Sequence, residues 1–188
     1  ESLTIIRRLL EGESVTFSGI EFDISDALIK PKPRVPIPIL VGGRSNAALE
    51  RAAEHSEGWI GVWCSPRRYS EALDVLNQKA EEADRGAVDW CHGYQPWIGL
   101  DRKNSGKARA AVEKGMENFY KIPFSKFEKY TPFGTPGEVA EQLVPYVEAG
   151  CTLFNLKVCT NKPEEEMELG AEVLTLLPVS YTHLRAHE

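Results

Sequence analysis

The sequence predicts an α/β fold of parallel strand–helix units joined by right-handed crossovers. Three observations carry that expectation. Apolar runs of strand length, Ile37–Val41, Trp59–Trp63 and Cys151–Val158, are each followed by a stretch whose apolar residues recur at helical spacing. The first two runs close on turn or cap signals, Gly42-Gly43 and Ser65-Pro66. Thr135-Pro136-Gly137-Glu138 reads as a capping box with proline in the first turn, the best helix start in the chain.

Taken in order, Leu3, Ile6, Leu9 and Leu10 share one face of an opening helix, with Ser2 as its cap. Val15, Phe17, Ile20, Phe22 and Ile24 alternate with polar residues around Ser18-Gly19, a hairpin pattern outside the main repeat. Pro31–Pro38 fixes an extended backbone. Its P-x-x-P spacing reads better as a stiff connector than as an SH3-type ligand. Four strand–helix units then follow. Ile37–Val41 leads to a helix from Ser45 that buries Ala48, Leu49, Ala52 and Ala53. Trp59–Trp63 leads to a helix from Ser65-Pro66 carrying Tyr69, Leu73, Leu76, Ala80 and Ala83. A third strand lies within Tyr94–Leu100, before a helix over Lys107–Tyr120 with Ala108, Ala111, Val112 and Phe119 inward. The helix from Thr135 is kinked by Pro145 and ended by Gly150. Cys151–Val158 is the fourth strand and Pro163–Leu177 the last helix, its glutamates suited to the positive end. Such units form either a small open sheet or half of an eightfold barrel, and periodicity does not choose between them.

The chain has 188 residues and a formal charge of −6, with 42% hydrophobic and 27% charged residues, which is ordinary globular material. An acidic chain with no basic run argues against nucleic acid as a partner, and no apolar run is long enough to span a membrane. The four cysteines, Cys64, Cys91, Cys151 and Cys159, include no C-x-x-C pair. Reduced thiols and a cytoplasmic location are expected, with no secretion signal at the start. No metal constellation is expected either. Val179–Glu188 reads as the in-frame translation of a sequencing-library adapter and is set aside from the fold.

The residues with the most evident chemistry are Val41, Gly42, Gly43, Arg44 and Ser45, where a strand meets a helix start. Glycines let backbone approach a ligand closely, and the free N–H groups of a first helical turn attract phosphate. Arg44 offers a bidentate grip and Ser45 a hydroxyl donor. The pattern is neither a Walker loop nor G-x-G-x-x-G, and a bare Gly-Gly is also simply a tight turn.

Pro36-Ile-Pro-Ile-Leu-Val-Gly-Gly-Arg-Ser-Asn-Ala-Ala-Leu-Glu-Arg-Ala-Ala, then Glu57-Gly-Trp-Ile60, resembles the luciferase-like flavin monooxygenase family. Phe133-Gly-Thr-Pro-Gly-Glu-Val-Ala-Glu and Tyr146-Val-Glu-Ala-Gly-Cys-Thr-Leu-Phe-Asn155 resemble the segment before that family's last barrel strand, and Glu13-Ser-Val-Thr-Phe-Ser-Gly and Pro31-Lys-Pro its hairpin insertion. The resemblance implies that residues 1–178 are the C-terminal half, four β/α units, of a TIM-like (β/α)8 barrel of the bacterial luciferase-like type. It implies FMN or the deazaflavin F420 at the C-terminal mouth, with the cofactor phosphate on Val41, Gly42, Gly43, Arg44 and Ser45. It also implies a small-molecule substrate, a separate flavin reductase as partner and a homo-oligomer at full length. The family's first four strands, which carry a catalytic histidine in several members, have no counterpart here, so the catalytic residues stay unassigned. Cys64-Ser65-Pro66 stands where the sugar-phosphate-oxidising branch has a lysine, so that branch is not supported.

In a barrel the strand C-termini face the chemistry, which makes Trp63, Asn155 and Lys157 candidates for a substrate pocket, with Asp101 there as a candidate or a helix cap. Trp63 is also readable as packing, and Asn155 and Lys157 as structural polar groups on the face opposite Phe154, Leu156 and Val158. His92 begins the third strand, on the stability face, where a general base is not expected. His55 reads as a helix-dipole partner. Two functional classes remain: a flavin- or F420-dependent oxidoreductase, and a non-catalytic flavin- or phosphate-binding protein on the same scaffold. Expressed alone, such a half barrel leaves two open edges and is expected to aggregate.

Overall fold

The computed structural model describes residues 1–178, so the reading of Val179–Glu188 lies outside the described residues. Helix α1 (Ser2–Leu10) has Glu1, not Ser2, at its cap position. The Glu1 carboxylate turns instead to the hairpin and accepts the Ile20 and Glu21 N–H groups at 2.8 and 3.0 Å. Ile5 is the buried residue of α1 and Ile6 is exposed, because the helix rests on the hairpin along a narrower stripe than its periodicity suggests. The hairpin is antiparallel, β1 (Val15–Ser18) with β2 (Asp23–Ala27), and pairs Phe17 with Ile24. Ile20 falls in its turn and is 94% exposed, so the alternation does not run through it.

The parallel strands are β3 (Leu40–Gly42), β4 (Gly58–Gly61), β5 (Gly93–Tyr94), β6 (Trp97–Leu100), β7 (Phe133–Gly134), β8 (Leu153–Phe154) and β9 (Lys157–Cys159). The first is shorter than the apolar run: Ile37 is exposed and belongs to the proline connector. The third and fourth expected strands are each broken, at Gln95-Pro96 and at Asn155-Leu156. The Asn155 N–H to Tyr94 carbonyl bond and the Lys157 N–H to Pro96 carbonyl bond carry the pairing across both breaks. The strand order is β3-β4-β5-β8, continuing as β6 beside β9. Apart from the two-residue β7, the strands follow chain order from β3 through β4 and β5/β6 to β8/β9, all parallel with no reversal, which forms an arc of a barrel rather than a doubly wound sheet. Strand β7, too short for periodicity to reveal, pairs with the free end of β6 just before the capping box.

Helices α2 (Asn46–His55), α3 (Pro66–Glu82), α5 (Pro136–Glu148) and α6 (Glu166–Leu176) pack along the outside of this arc. Local chemistry starts each of the first three: the hydroxyls of Ser45, Ser65 and Thr135 accept the N–H three residues on. Glu138 closes the capping box by accepting the Thr135 N–H at 2.7 Å. Gly150, at φ +99°, terminates the turn after α5, and Cys151 N–H reaches back to the Tyr146 carbonyl. All four expected core residues of α2 are buried, as are Tyr69, Leu73, Leu76 and Ala80 of α3. Ala83 is the cap residue of α3 and only half-buried, since the helix ends there.

Helix α4 (Ser105–Tyr120) lies on the opposite face of β6. Ile98 and Leu100 enter the main core, whereas Trp97 packs against a second cluster built on Val112, Met116, Phe124 and Phe127. A side chain at Gly99 would collide with the Ala108 carbonyl, so this glycine lets the helix settle onto the strand. Met116 takes the inward place expected of Phe119, which is 65% exposed over the inner face of the arc.

Candidate functional site

The C-terminal ends of β3 and β4 and the starts of α2 and α3 come together. Val41 is buried in the main core and anchors the turn. Gly43 has φ +128°, a region L side chains rarely adopt, and a Cβ there would stand 2.6 Å from the Ala48 Cβ. Its carbonyl accepts the Trp59 indole N–H at 2.8 Å, which locks the turn to the neighbouring strand. At Gly42, a Cβ would meet only Ile60, at 3.7 Å, so this glycine leaves space rather than relieving a clash. The Ser45 hydroxyl accepts the Ala48 N–H at 3.2 Å, and its own proton stays available to a ligand. The N–H groups of Asn46 and Ala47 precede the first intrahelical bond.

Beside the turn lies a cavity of about 260 Å³ lined by Arg44, Leu49, Trp59, Val62, Cys64, Arg68 and Ala72. Among the described residues its lining has two guanidinium groups and no carboxylate. Among the described residues Arg44 has no ion-pair partner, while Arg68 leans weakly on Glu71 at 3.6 Å. Burial pushes the Cys64 thiol up to about 11, so it is neutral although both arginines lie near. Arg68 carries no signal in the sequence: it sits inside α3 with no motif around it, and only the packing of two strand–helix units brings it to Arg44.

Trp63 follows at φ +46°. Its ring meets Tyr120 at 5.0 Å edge-on and Phe127 at 5.1 Å, so it is packed into the second cluster rather than free. The wall continues from Tyr120 to Trp97, whose indole N–H donates to the Tyr120 hydroxyl at 3.0 Å. Lys157 stands opposite Trp97 in the strand register, with its ammonium 5.6 Å from that ring and 6.0 Å from Phe119. Asn155 donates to Gln95 at 3.2 Å across the same pair of strands. Phe154, Leu156 and Val158 point to the helices and pack on the main core, as the alternation requires. The structure therefore joins Trp63 to Lys157 through Tyr120 and Trp97, with Asn155 one inward-facing position before Lys157.

Asp101 is a helix-start residue: its carboxylate accepts the Lys103 and Asn104 N–H groups, both at 3.0 Å, and Asn104 caps α4. Those backbone bonds hold its carboxyl below the usual range. His92 is buried, stacks on Trp90 at 5.5 Å and accepts the Trp59 N–H through Nδ1 at 3.3 Å. Desolvation lowers it to about 4, so the imidazole is a neutral acceptor in the framework. Among the described residues no three His, Cys, Asp or Glu side chains converge as metal ligands, and no helix is long and apolar enough to cross a membrane.

The sequence profile of the luciferase-like monooxygenase family matches residues 1–120. An uncharacterised protein of Mycobacterium bovis is 29% identical over 138 residues, 72% of this chain and 46% of that protein. The F420-dependent glucose-6-phosphate dehydrogenase of Microbacterium testaceum is 36% identical over 91 residues, 47% of this chain and 27% of that enzyme. Among solved structures, an F420-dependent secondary alcohol dehydrogenase bound to an F420–acetone adduct superposes with a TM-score of 0.77 at 18% identity, over 94% of this chain and 60% of that one. The chain thus spans about half or less of the length of the two sequence relatives and 60% of the solved structure.

Proposed function

The chain belongs to the luciferase-like monooxygenase family, and on that premise we propose that residues 1–178 are the C-terminal portion of an FMN- or F420-dependent oxidoreductase. The Gly42–Ser45 turn carries this reading: a fixed glycine turn, open helix N–H groups and an unpaired Arg44 suit a cofactor phosphate. Gly42 lets the phosphate approach the backbone, Ser45 and the first turn of α2 donate to it, and Arg44 balances its charge. Bound here, reduced FMN would supply electrons to O₂ for monooxygenation, and F420 would exchange a hydride with substrate. Trp63 and its ring neighbours wall the adjacent space, and Asn155 and Lys157 present polar groups to a small organic substrate. A monooxygenase of this kind would take reduced flavin from a separate reductase, and a homo-oligomer is the assembly proposed for the full-length protein.

Titration of the full-length protein with FMN and with F420, followed by fluorescence, tests the site. One cofactor is expected to bind, and Arg44→Ala to weaken it roughly tenfold, the scale of one lost charge-assisted contact. Failure of both to bind would overturn the reading. Binding without turnover of the reduced cofactor would leave the non-catalytic flavin-binding class instead.

A further inference from the structure

Lys157 combines three properties that together specify a ligand chemistry. It projects onto the inner face of the arc, on the side of the strand away from the main core. Among the described residues no carboxylate lies within ion-pair distance of its ammonium; its partners are the rings of Trp97 and Phe119. Those rings hold the ammonium by their quadrupoles and do not neutralise it. Phe119 is 65% exposed although its helix buries the neighbouring Met116, so a largely open aromatic side chain stands beside a cation without an ion-pair partner. Asn155 and Gln95, already bonded to each other, add a neutral amide pair along the same strands.

We infer that this platform selects a substrate with an apolar, planar body and a negatively charged group: the body rests on Phe119 and Trp97, and the anion meets Lys157. The inference rests on the proposed reading that this inner face is the substrate side, and it adds the charge and shape of what is bound there. An anion here gains a charge-assisted hydrogen bond without breaking an existing ion pair, because Lys157 has none to give up. A neutral analogue makes the ring contacts alone.

The test compares 4-methylbenzoate with 4-methylbenzamide by calorimetry on the full-length protein without cofactor. The carboxylate is expected to bind roughly tenfold more tightly, a margin that shrinks as salt is raised. Lys157→Gln is expected to bring the two affinities together while leaving the amide unchanged, and Phe119→Ala to weaken both. Equal affinities in the native protein, or an unchanged preference in Lys157→Gln, would overturn the inference. The cofactor titration is a separate readout: loss of the anion preference with intact cofactor binding defeats this inference alone, and absence of cofactor binding defeats the oxidoreductase reading.

Discussion

The Tyr146 hydroxyl donates to the main-chain carbonyl of Cys64 at 2.6 Å, joining residues 82 apart in the chain. Tyr94 donates to the same carbonyl at 3.3 Å, and the two tyrosine rings stack at 4.0 Å. Both phenols sit in the main core, where burial raises them and keeps them protonated as donors, Tyr146 to about 12. The effect is to fix the backbone between Trp63 and Ser65, the stretch that floors the arginine cavity and starts α3.

Tyr146→Phe keeps the stacked ring and removes the shorter of the two bonds. A net loss of about 1 kcal/mol is expected in urea unfolding, the usual worth of one buried hydrogen bond. Tyr94→Phe should cost less, because its bond is longer. Equal midpoints for Tyr146→Phe and the native protein would show that the Cys64 carbonyl is satisfied without it.

Gly42 and Gly43 are adjacent, yet they are expected to fail differently. Gly43→Ala forces a side chain into φ +128° and against Ala48, so about 1–3 kcal/mol of stability should be lost. Gly42→Ala meets only an ordinary contact with Ile60, so its melting temperature should stay near native. Its added methyl occupies the space proposed for the cofactor, and affinity for FMN or F420 should fall. A thermal melt paired with a cofactor titration checks both. An unchanged affinity in Gly42→Ala would remove that glycine from the binding surface.

What the sequence made legible was local. Ser45, Ser65 and Thr135 each cap through their own next turn, so residue type and spacing sufficed to place three helix starts. The inward face of α2 followed from periodicity because that helix meets one continuous core. Strand β7 is invisible to periodicity because two residues carry no period, and the break at Asn155 because the alternation of Phe154, Leu156 and Val158 runs across it; Pro96, which has no N–H for the ladder, is the one residue that marks the other break. Spacing alone places Phe119 inward; only the position of α4 across the inner face shows that its ring overhangs the strand end. Lys157 against Trp97 depends on strand register, and Arg68 beside Arg44 on how two units pack, neither of which is encoded in spacing.

His92 predicts a pH dependence with a definite sign. In the native state the imidazole is neutral and its Nδ1 accepts from Trp59, with its pKa lowered from 6.5 to about 4. The unfolded chain therefore binds this proton first as pH falls below 6.5. Stability from this group is full above 6.5 and declines as pH drops toward about 4, by up to about 3 kcal/mol for a shift of that size. His92→Asn retains an acceptor and loses the titration, so its unfolding free energy should vary less over this range. Parallel pH profiles for the two proteins would assign the acid sensitivity elsewhere.

Among the described residues strand β3 has a hydrogen-bonded neighbour only at β4, and β8 only at β5, so both ends of the four-stranded sheet present backbone groups with no strand partner there. Leu153, on the inner face beside Gly93 and Ile60, is 38% exposed, and Ile37 next to the β3 edge is 46% exposed. A parallel sheet is stable when both faces are covered, and an open apolar edge is a template for pairing with another chain. Residues 1–178 expressed alone should therefore self-associate, seen as concentration-dependent mass in light scattering, while the covered outer face keeps the helices formed. Substituting Leu153 by Lys should reduce that association by placing charge on the exposed face, with little cost because the site is already partly solvated. A sharp, reversible melt of a monomeric 1–178 segment would show instead that α4 and its aromatic cluster cover enough of the inner face to make the arc self-sufficient.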